Sequence, residues 1–163
     1  MIRKAKSEDL EIIMNIYAGA RAFMALNGNP GQWSDGYPQR DLVEDDLRKE
    51  QLYVWENNEG IGAVFVYFQG TDPCYEVIRE GAWLNEEPYG VLHRIAVAQQ
   101  GRGIASACLD WCFRQCGNLR GDTHEKNKSM QRLFEKNGFV KCGIVCADNG
   151  TDRIAYQKAV KER

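Results

Sequence analysis

Residues 93–103 read HRIAVAQQGRG and run directly into IASACLDWCF. A short apolar strand, a turn with glycines at 101 and 103, and a helix in immediate succession restrict the chain to folds in which a strand delivers the backbone to a helix N-terminus. Amides in a helix's first turn have no partner within the helix, so such a turn is built to meet an anion. Three anions suit such a turn: a nucleoside triphosphate, a dinucleotide pyrophosphate and coenzyme A.

The triphosphate loop needs Lys followed by Ser or Thr after its last glycine, and Ile104 and Ala105 stand there instead. The dinucleotide turn is closer: Gly101-x-Gly103-x-x-Ser106 approximates GxGxxG, and Asp122 follows about 20 residues on. Ser106, however, replaces the third glycine, and Ala98, Gln99 and Gln100 lengthen the turn. The unit also sits too late in the chain to be followed by a second mononucleotide half.

Around this unit the chain reads as a single domain, residues 1–163, of the α/β (α+β) class. MIRKA has strand character, and Ser7 is the expected cap of a helix through Leu10, Ile13, Met14, Ile16 and Tyr17. A second helical stretch, ARAFMALNG, should stop at Asn27 and Gly28. A loop with Trp33 and Tyr37 leads to a charged helix in RDLVEDDLRKE, and QLYVW and IGAVFVYF form a hairpin whose second strand is apolar enough to be covered on both faces. The connection from Gln69 to Gly90 should hold a short helix capped by Asp72, opened by Pro73 and closed by Gly81. After the glycine turn come the helix, the strand NLRGDT, the helix SMQRLFEKN, and the hairpin FVKCGIVC and RIAYQKA. The sum is a mixed, mostly antiparallel sheet of about seven strands with helices on both faces, its central pair parallel through a right-handed crossover.

Composition removes several function classes. A formal net charge of −2 with 44% hydrophobic residues gives no basic surplus for nucleic acid. No apolar run reaches membrane-span length and the N-terminus lacks a signal-peptide core, so the expectation is a cytoplasmic protein with no membrane partner. Cys108, Cys112 and Cys116 share a helical face as small hydrophobes, and Cys142 and Cys146 share a side of an extended strand. Neither spacing matches a zinc ligand pair, so no metal is expected.

Read from Gln100, the turn is Gln100-Gly101-Arg102-Gly103-Ile104-Ala105, or Q-x-x-G-x-A, and Asn127 and the NGF of Asn137, Gly138 and Phe139 follow at the spacing of a second motif. This resembles the GCN5-related N-acetyltransferases, over the whole chain in element order and most specifically over residues 92–139. The strings NGNPGQW, HRIAV and DTHEKNKSM resemble a bacterial subgroup of that superfamily. The resemblance implies an acetyl-CoA cosubstrate held by Ile95, Val97, Gln100, Gly101, Arg102, Gly103, Ile104, Ala105, Asn127 and Phe134. It also implies that the strands 92–97 and 119–123 splay so that pantetheine adds along an exposed edge.

Acetyl transfer to the primary amine of a small molecule or peptide by direct attack needs a base, a donor for the carbonyl oxygen and an exit for the thiolate. His93, the partner-strand His124 and Glu87 are the candidate catalytic groups, with His93 sharing strand parity with Ile95 and Val97, and an amide near Val97 is the candidate oxyanion donor. Trp33, Trp83 and Tyr89 are candidate substrate contacts. Arg120, Lys126, Lys128, Arg132, Lys136 and Lys141 form a local basic surplus suited to the nucleotide end or to a solvated face. Phe134 stands where the resemblance implies a tyrosine acid, and it has no proton to give; water, Tyr156 or Tyr89 are the substitutes. Two other readings stay open: a non-catalytic acyl-CoA sensor on the same fold, and an NAD-binding oxidoreductase. Exposed tryptophans could equally serve a homodimer.

Overall fold

The computed structural model describes residues 1–160, so the last three residues of the expected 1–163 domain lie outside the described part. The strands are β1 (Ile2–Lys4), β2 (Leu52–Asn57), β3 (Gly60–Gln69), β4 (Gly90–Val97), β5 (Asn118–Thr123), β6 (Val140–Cys146) and β7 (Asp152–Ala159). The helices are α1 (Leu10–Leu26), α2 (Arg40–Arg48), α3 (Ile104–Cys116) and α4 (Lys128–Lys136). The sheet runs β1-β2-β3-β4-β5-β7-β6. β4 and β5 pair parallel, Gly90 with Leu119 and Val91 with Arg120, as a crossover through α3 requires. The other recorded pairings are antiparallel.

Contacts gather the chain into two units, one of Met1–Tyr67 with His93–Cys108, the other of Phe68–Leu92 with the chain from Leu109 on. In the first, the expected Ser7 cap is replaced by a single 3-10 turn, Ser7–Asp9, ahead of α1. Asp9 is the capping group: its carboxylate accepts from the Lys6 amide at 2.8 Å and from Arg3 at 2.8 and 3.2 Å. The two expected helical stretches are one helix of 17 residues, because Gly19 costs only intrinsic propensity and the apolar face of Ile13, Ile16, Tyr17 and Ala20 stays buried along it. The helix stops at Asn27 and Gly28 as expected, with Gly28 at φ +80°. In β3, Ala63 to Tyr67 are buried at every position, the pattern of a strand covered on both faces.

In the second unit Asp72 does cap a turn, accepting from the Cys74 amide at 2.9 Å, with Pro73 at its first position. That turn is a single 3-10 turn, Pro73–Tyr75, and Gly81 does not end it. Instead residues 79–82 run along β6: Arg79 exchanges both backbone bonds with Ile144 at 2.8 Å, and the Ala82 amide donates to Cys142 at 3.0 Å. β6 is the last strand in the sheet order, so this segment covers an edge that would otherwise present unpaired donors and acceptors.

The cysteine expectations also change in part. Cys108 and Cys112 are buried, and burial pushes the Cys108 thiol up to about 12, keeping it a protonated, apolar group. Cys116 is exposed, its thiol donating to the Asn118 carbonyl at 3.2 Å. Cys142 and Cys146 do not share a side: the register of β6 shifts between Lys141 and Gly143, so buried Cys142 clusters with Val145 and Cys146 faces outward.

α4 lays Phe134 into the core, stacked on Tyr156 at 4.7 Å and tilted on Phe139 at 5.0 Å. Glycine is required beneath it, since a Cβ on Gly121 would lie 2.8 Å from the Phe134 ring. Gly121→Ala is expected to destabilise the fold by about 1–3 kcal/mol, and thermal melting of the variant beside the wild type measures it.

Candidate active site

The loop between β4 and α3 belongs to the first unit. Its start is tied to β3 by the Ala98 amide donating to the Gly62 carbonyl at 2.9 Å, and its end is the first turn of α3, where Ala107 donates to Gly103 at 3.2 Å. Gly101 and Gly103 adopt φ +77° and +74°, the left-handed region that favours glycine. A Cβ on either would meet nothing within 4 Å, so the space above both is open. Arg102 folds over the loop, its guanidinium donating to Gln99 Oε1 at 3.0 Å. Gln100, Gly101, Arg102 and Gly103 are exposed, and the amides of Ile104 and Ala105 open the helix. The arrangement presents a row of backbone donors and the positive end of a 13-residue helix to an open surface.

β4 carries His93, Ile95 and Val97, all half-buried, and between the first two the strand is not regular. Arg94 has φ +50°. A left-handed non-glycine residue inside a strand costs about 1–3 kcal/mol and persists only where its surroundings fix it. Here they do. The Arg94 carbonyl accepts from Tyr17 Oη at 2.9 Å. Its guanidinium grips Asp46 with two bonds, Nε to Oδ2 at 3.0 Å and Nη2 to Oδ1 at 2.8 Å, and donates to Tyr37 Oη at 3.2 Å. Asp46 is 1% exposed and also accepts from Gln51 at 3.2 Å. Burial alone would lower the Arg94 pKa, but the Asp46 carboxylate and Tyr37 outweigh it and hold the group charged. The kink removes the simple alternation that would give His93 the parity of Ile95 and Val97.

Trp33 also belongs to this unit. It is 7% exposed, edge-on to Tyr17 at 5.6 Å and tilted on Tyr37 at 6.1 Å. Its surroundings anchor the 27–38 loop beside the Arg94 contacts.

In the second unit Trp83 and Tyr89 come together around Arg120. The guanidinium lies 4.2 Å from the Trp83 ring and 3.9 Å from that of Tyr89, and Nη2 donates to the Asn85 carbonyl at 2.8 Å. Arg120 is 3% exposed, its Nε has no hydrogen-bond partner, and burial lowers its pKa. It is thus a buried clamp and not part of a solvated basic face. Asn118 extends the clamp, donating to Asn85 Oδ1 and to the Pro88 carbonyl, both at 3.0 Å, while Gln157 donates to Asn118 at 2.7 Å. Glu87 itself is exposed on this segment.

His124 follows β5 directly. Its Nδ1 accepts from the Lys126 amide at 3.0 Å, which places the proton of the neutral ring on Nε2. Burial, then Arg153, pushes its pKa down, so the ring stays neutral near pH 7. In this state it offers a donor more readily than a base. Asn127 caps α4, accepting from the Met130 amide at 3.0 Å. Phe134 is 1% exposed. Tyr156 Oη bonds Glu135 at 3.3 Å, and burial, with Glu135 beside it, raises its pKa to about 12. Asp122, the residue a dinucleotide reading would give to a ribose, accepts from buried Tyr75 Oη at 2.5 Å.

An open, mostly antiparallel sheet of seven strands, with the parallel strands β4 and β5 joined through a glycine turn and α3, defines an acyltransferase of the acyl-CoA N-acyltransferase fold. The chain belongs to the GNAT acetyltransferase family, whose model matches residues 14–139. A GNAT-family acetyltransferase from Streptococcus agalactiae 2603 is 34% identical over 99% of this chain and 96% of its own, with a TM-score of 0.90. A GNAT-family acetyltransferase from Bacillus cereus ATCC 10987 and an N-acetyltransferase from Staphylococcus aureus Mu50 share the fold. Each is 22% identical over 99% of this chain and 98% of its own, with TM-scores of 0.64 and 0.66. A comparison with curated proteins gives no match. No helix among the described residues is long and apolar enough to cross a membrane.

Proposed function

We propose that this acetyltransferase moves the acetyl group of acetyl-CoA to an amine of a small molecule or peptide by direct attack. The observation that carries the proposal is the open space over Gly101 and Gly103 at the head of α3. It fits a pyrophosphate, which takes several backbone amides at once and tolerates no side chain between them. Gln99 to Ala105 would hold that group, with Ile95 and Val97 supplying strand backbone beside it; coenzyme A contributes the activated thioester.

The chain's own residues then divide the proton work. The attacking amine must be neutral, and an ammonium of pKa near that of free Lys, roughly 10, has to lose a proton first. His93 on β4 is the base in this reading, because the Nδ1 lone pair of His124 is already given to the Lys126 amide. His124 keeps its proton on Nε2. Tyr156 is a poor acid for the leaving thiolate: from about 12 to a thiol pKa of roughly 8.5 the transfer runs uphill by about 3.5 units, or roughly 5 kcal/mol. The thiolate therefore leaves without a proton from Tyr156.

The test is thiol release from acetyl-CoA across polyamines, amino acids, aminoglycosides and peptide N-termini, with thermal shift against acetyl-CoA and NAD. Release with at least one amine class, and stabilisation by acetyl-CoA but not NAD, is the expected result. Stabilisation by acetyl-CoA with no release from any amine would make the protein a sensor. Stabilisation by NAD alone would overturn the coenzyme A reading altogether.

A further inference from the structure

Four non-glycine residues have positive φ among the described residues, and three of them, Asp35, Glu50 and Glu80, lie outside helices and strands. Arg94 is the fourth and sits in the middle of β4, one residue after His93 and three before Val97. Its partners come from three separate elements. Tyr17 of α1 takes its carbonyl, Asp46 of α2 takes its guanidinium, and Tyr37 of the intervening loop takes the remaining edge. Tyr17 is fully buried, and Tyr17 and Tyr37 both contact Trp33. Three elements, backbone and side chain together, thus specify one φ value.

An extended residue at 94 would restore the period of two along β4 and turn either His93 or the backbone from Ile95 to Val97 to the other face. The left-handed kink is what lets His93 and those amides be presented in a relation that no regular strand has. We propose that Arg94, held by Asp46 and Tyr17, is a positioning residue for acetyl transfer: it acts through His93 and the amides of residues 95–97, and does not itself touch substrate. This rests on the acetyl-transfer reading above. The separation from the glycine loop is part of the claim, since the loop's own anchors, Ala98 on Gly62 and Ala107 on Gly103, are independent of Arg94. Disturbing Arg94 should therefore cost turnover and spare coenzyme A binding.

The experiment compares wild type with Arg94→Lys, Tyr17→Phe and Asp46→Asn. Lysine keeps the charge and loses the two-pronged grip; phenylalanine removes only the hydroxyl on the Arg94 carbonyl. The expected result is a fall in kcat of about 30–100-fold for Arg94→Lys, which converts to about 2–2.7 kcal/mol at 1.36 kcal/mol per decade, and a smaller fall for Tyr17→Phe. The KM for acetyl-CoA and the thermal shift it produces should stay within about threefold, or roughly 0.7 kcal/mol. Asp46→Asn leaves a buried guanidinium without its counter-charge; if it fails to fold, the other two variants carry the test. Wild-type kcat in folded Arg94→Lys and Tyr17→Phe would overturn the proposal, as would a loss confined to the KM for acetyl-CoA. If wild type releases no thiol with any amine, it is the acetyl-transfer reading that fails. A crystal structure of Arg94→Lys then decides the lock itself: residue 94 returning to negative φ supports it, and retained positive φ overturns it.

Discussion

Replacing Gly81 by alanine is expected to lower the melting temperature by several degrees. A Cβ there would lie 1.9 Å from the Cys142 carbonyl oxygen, and the obstacle is backbone, which cannot rotate aside as a side chain could. Relief requires residues 79–82 to lift from β6, which loses the Ala82 bond to Cys142 at 3.0 Å and strains the paired Arg79 and Ile144 bonds. Gly143, across the same contact, has no slack to offer, since its own Cβ position is 2.6 Å from the Arg79 carbonyl. With overpacking at about 1–3 kcal/mol and a backbone hydrogen bond adding about 1, a loss of roughly 2–4 kcal/mol follows. For a chain of this size that is about 4–16 °C in Tm, readable by calorimetry. An unchanged melting temperature would mean that the 79–82 segment does not seal the β6 edge. The variant should also bind more of a strand-edge dye than wild type, because the uncovered edge then presents free donors and acceptors.

Gly81 also marks where sequence reading stops. Placed after Asp72 and Pro73, it satisfies the pattern of a helix end, and local pattern carries no trace of β6, some sixty residues later. What was legible had local causes. The two glycines before α3, the hairpin of β2 and β3 and the buried run from Ala63 to Tyr67 each follow from spacing within about ten residues, and each is present in the structure. What was not legible was fixed by distant partners. Arg94 has an ordinary strand context, and its left-handed φ comes from Tyr17 and Asp46, 77 and 48 residues away. Arg120 reads as one cation among six between residues 120 and 141, and only the rings of Trp83 and Tyr89 show it to be a buried clamp. Its alternation between Leu119 and Gly121 on a strand was the available signal, because a charge on a buried strand face needs a partner somewhere. His124 was legible as a histidine at the end of a strand, but its tautomer depends on a single amide, that of Lys126.

Gly103→Asp separates the ligand from the fold more cleanly than any deletion of a side chain. The space over Gly103 holds no protein atom within 4 Å of a Cβ, so the added group displaces nothing in the chain itself. Aspartate is among the residues that tolerate left-handed φ best, and it suits the head of a helix, where a carboxylate meets unpaired amides. The fold should therefore lose no more than about 1 kcal/mol, or a few degrees in Tm. A pyrophosphate seated on the same amides would meet both the bulk and the negative charge of the new side chain. Two like unit charges about 4 Å apart cost about 4 kcal/mol at the effective dielectric of a partly exposed site, less where salt screens them. The expected result is an affinity for acetyl-CoA reduced at least 100-fold, about 2.7 kcal/mol, measured by calorimetric titration at low salt, with partial recovery as salt rises. Gly101→Asp, with the same open space and φ +77°, should behave alike. A substituted loop that bound acetyl-CoA with wild-type affinity would remove the anion from the head of α3. The conformations of Gly101 and Gly103 would then have to be explained by chain reversal between β4 and α3 alone.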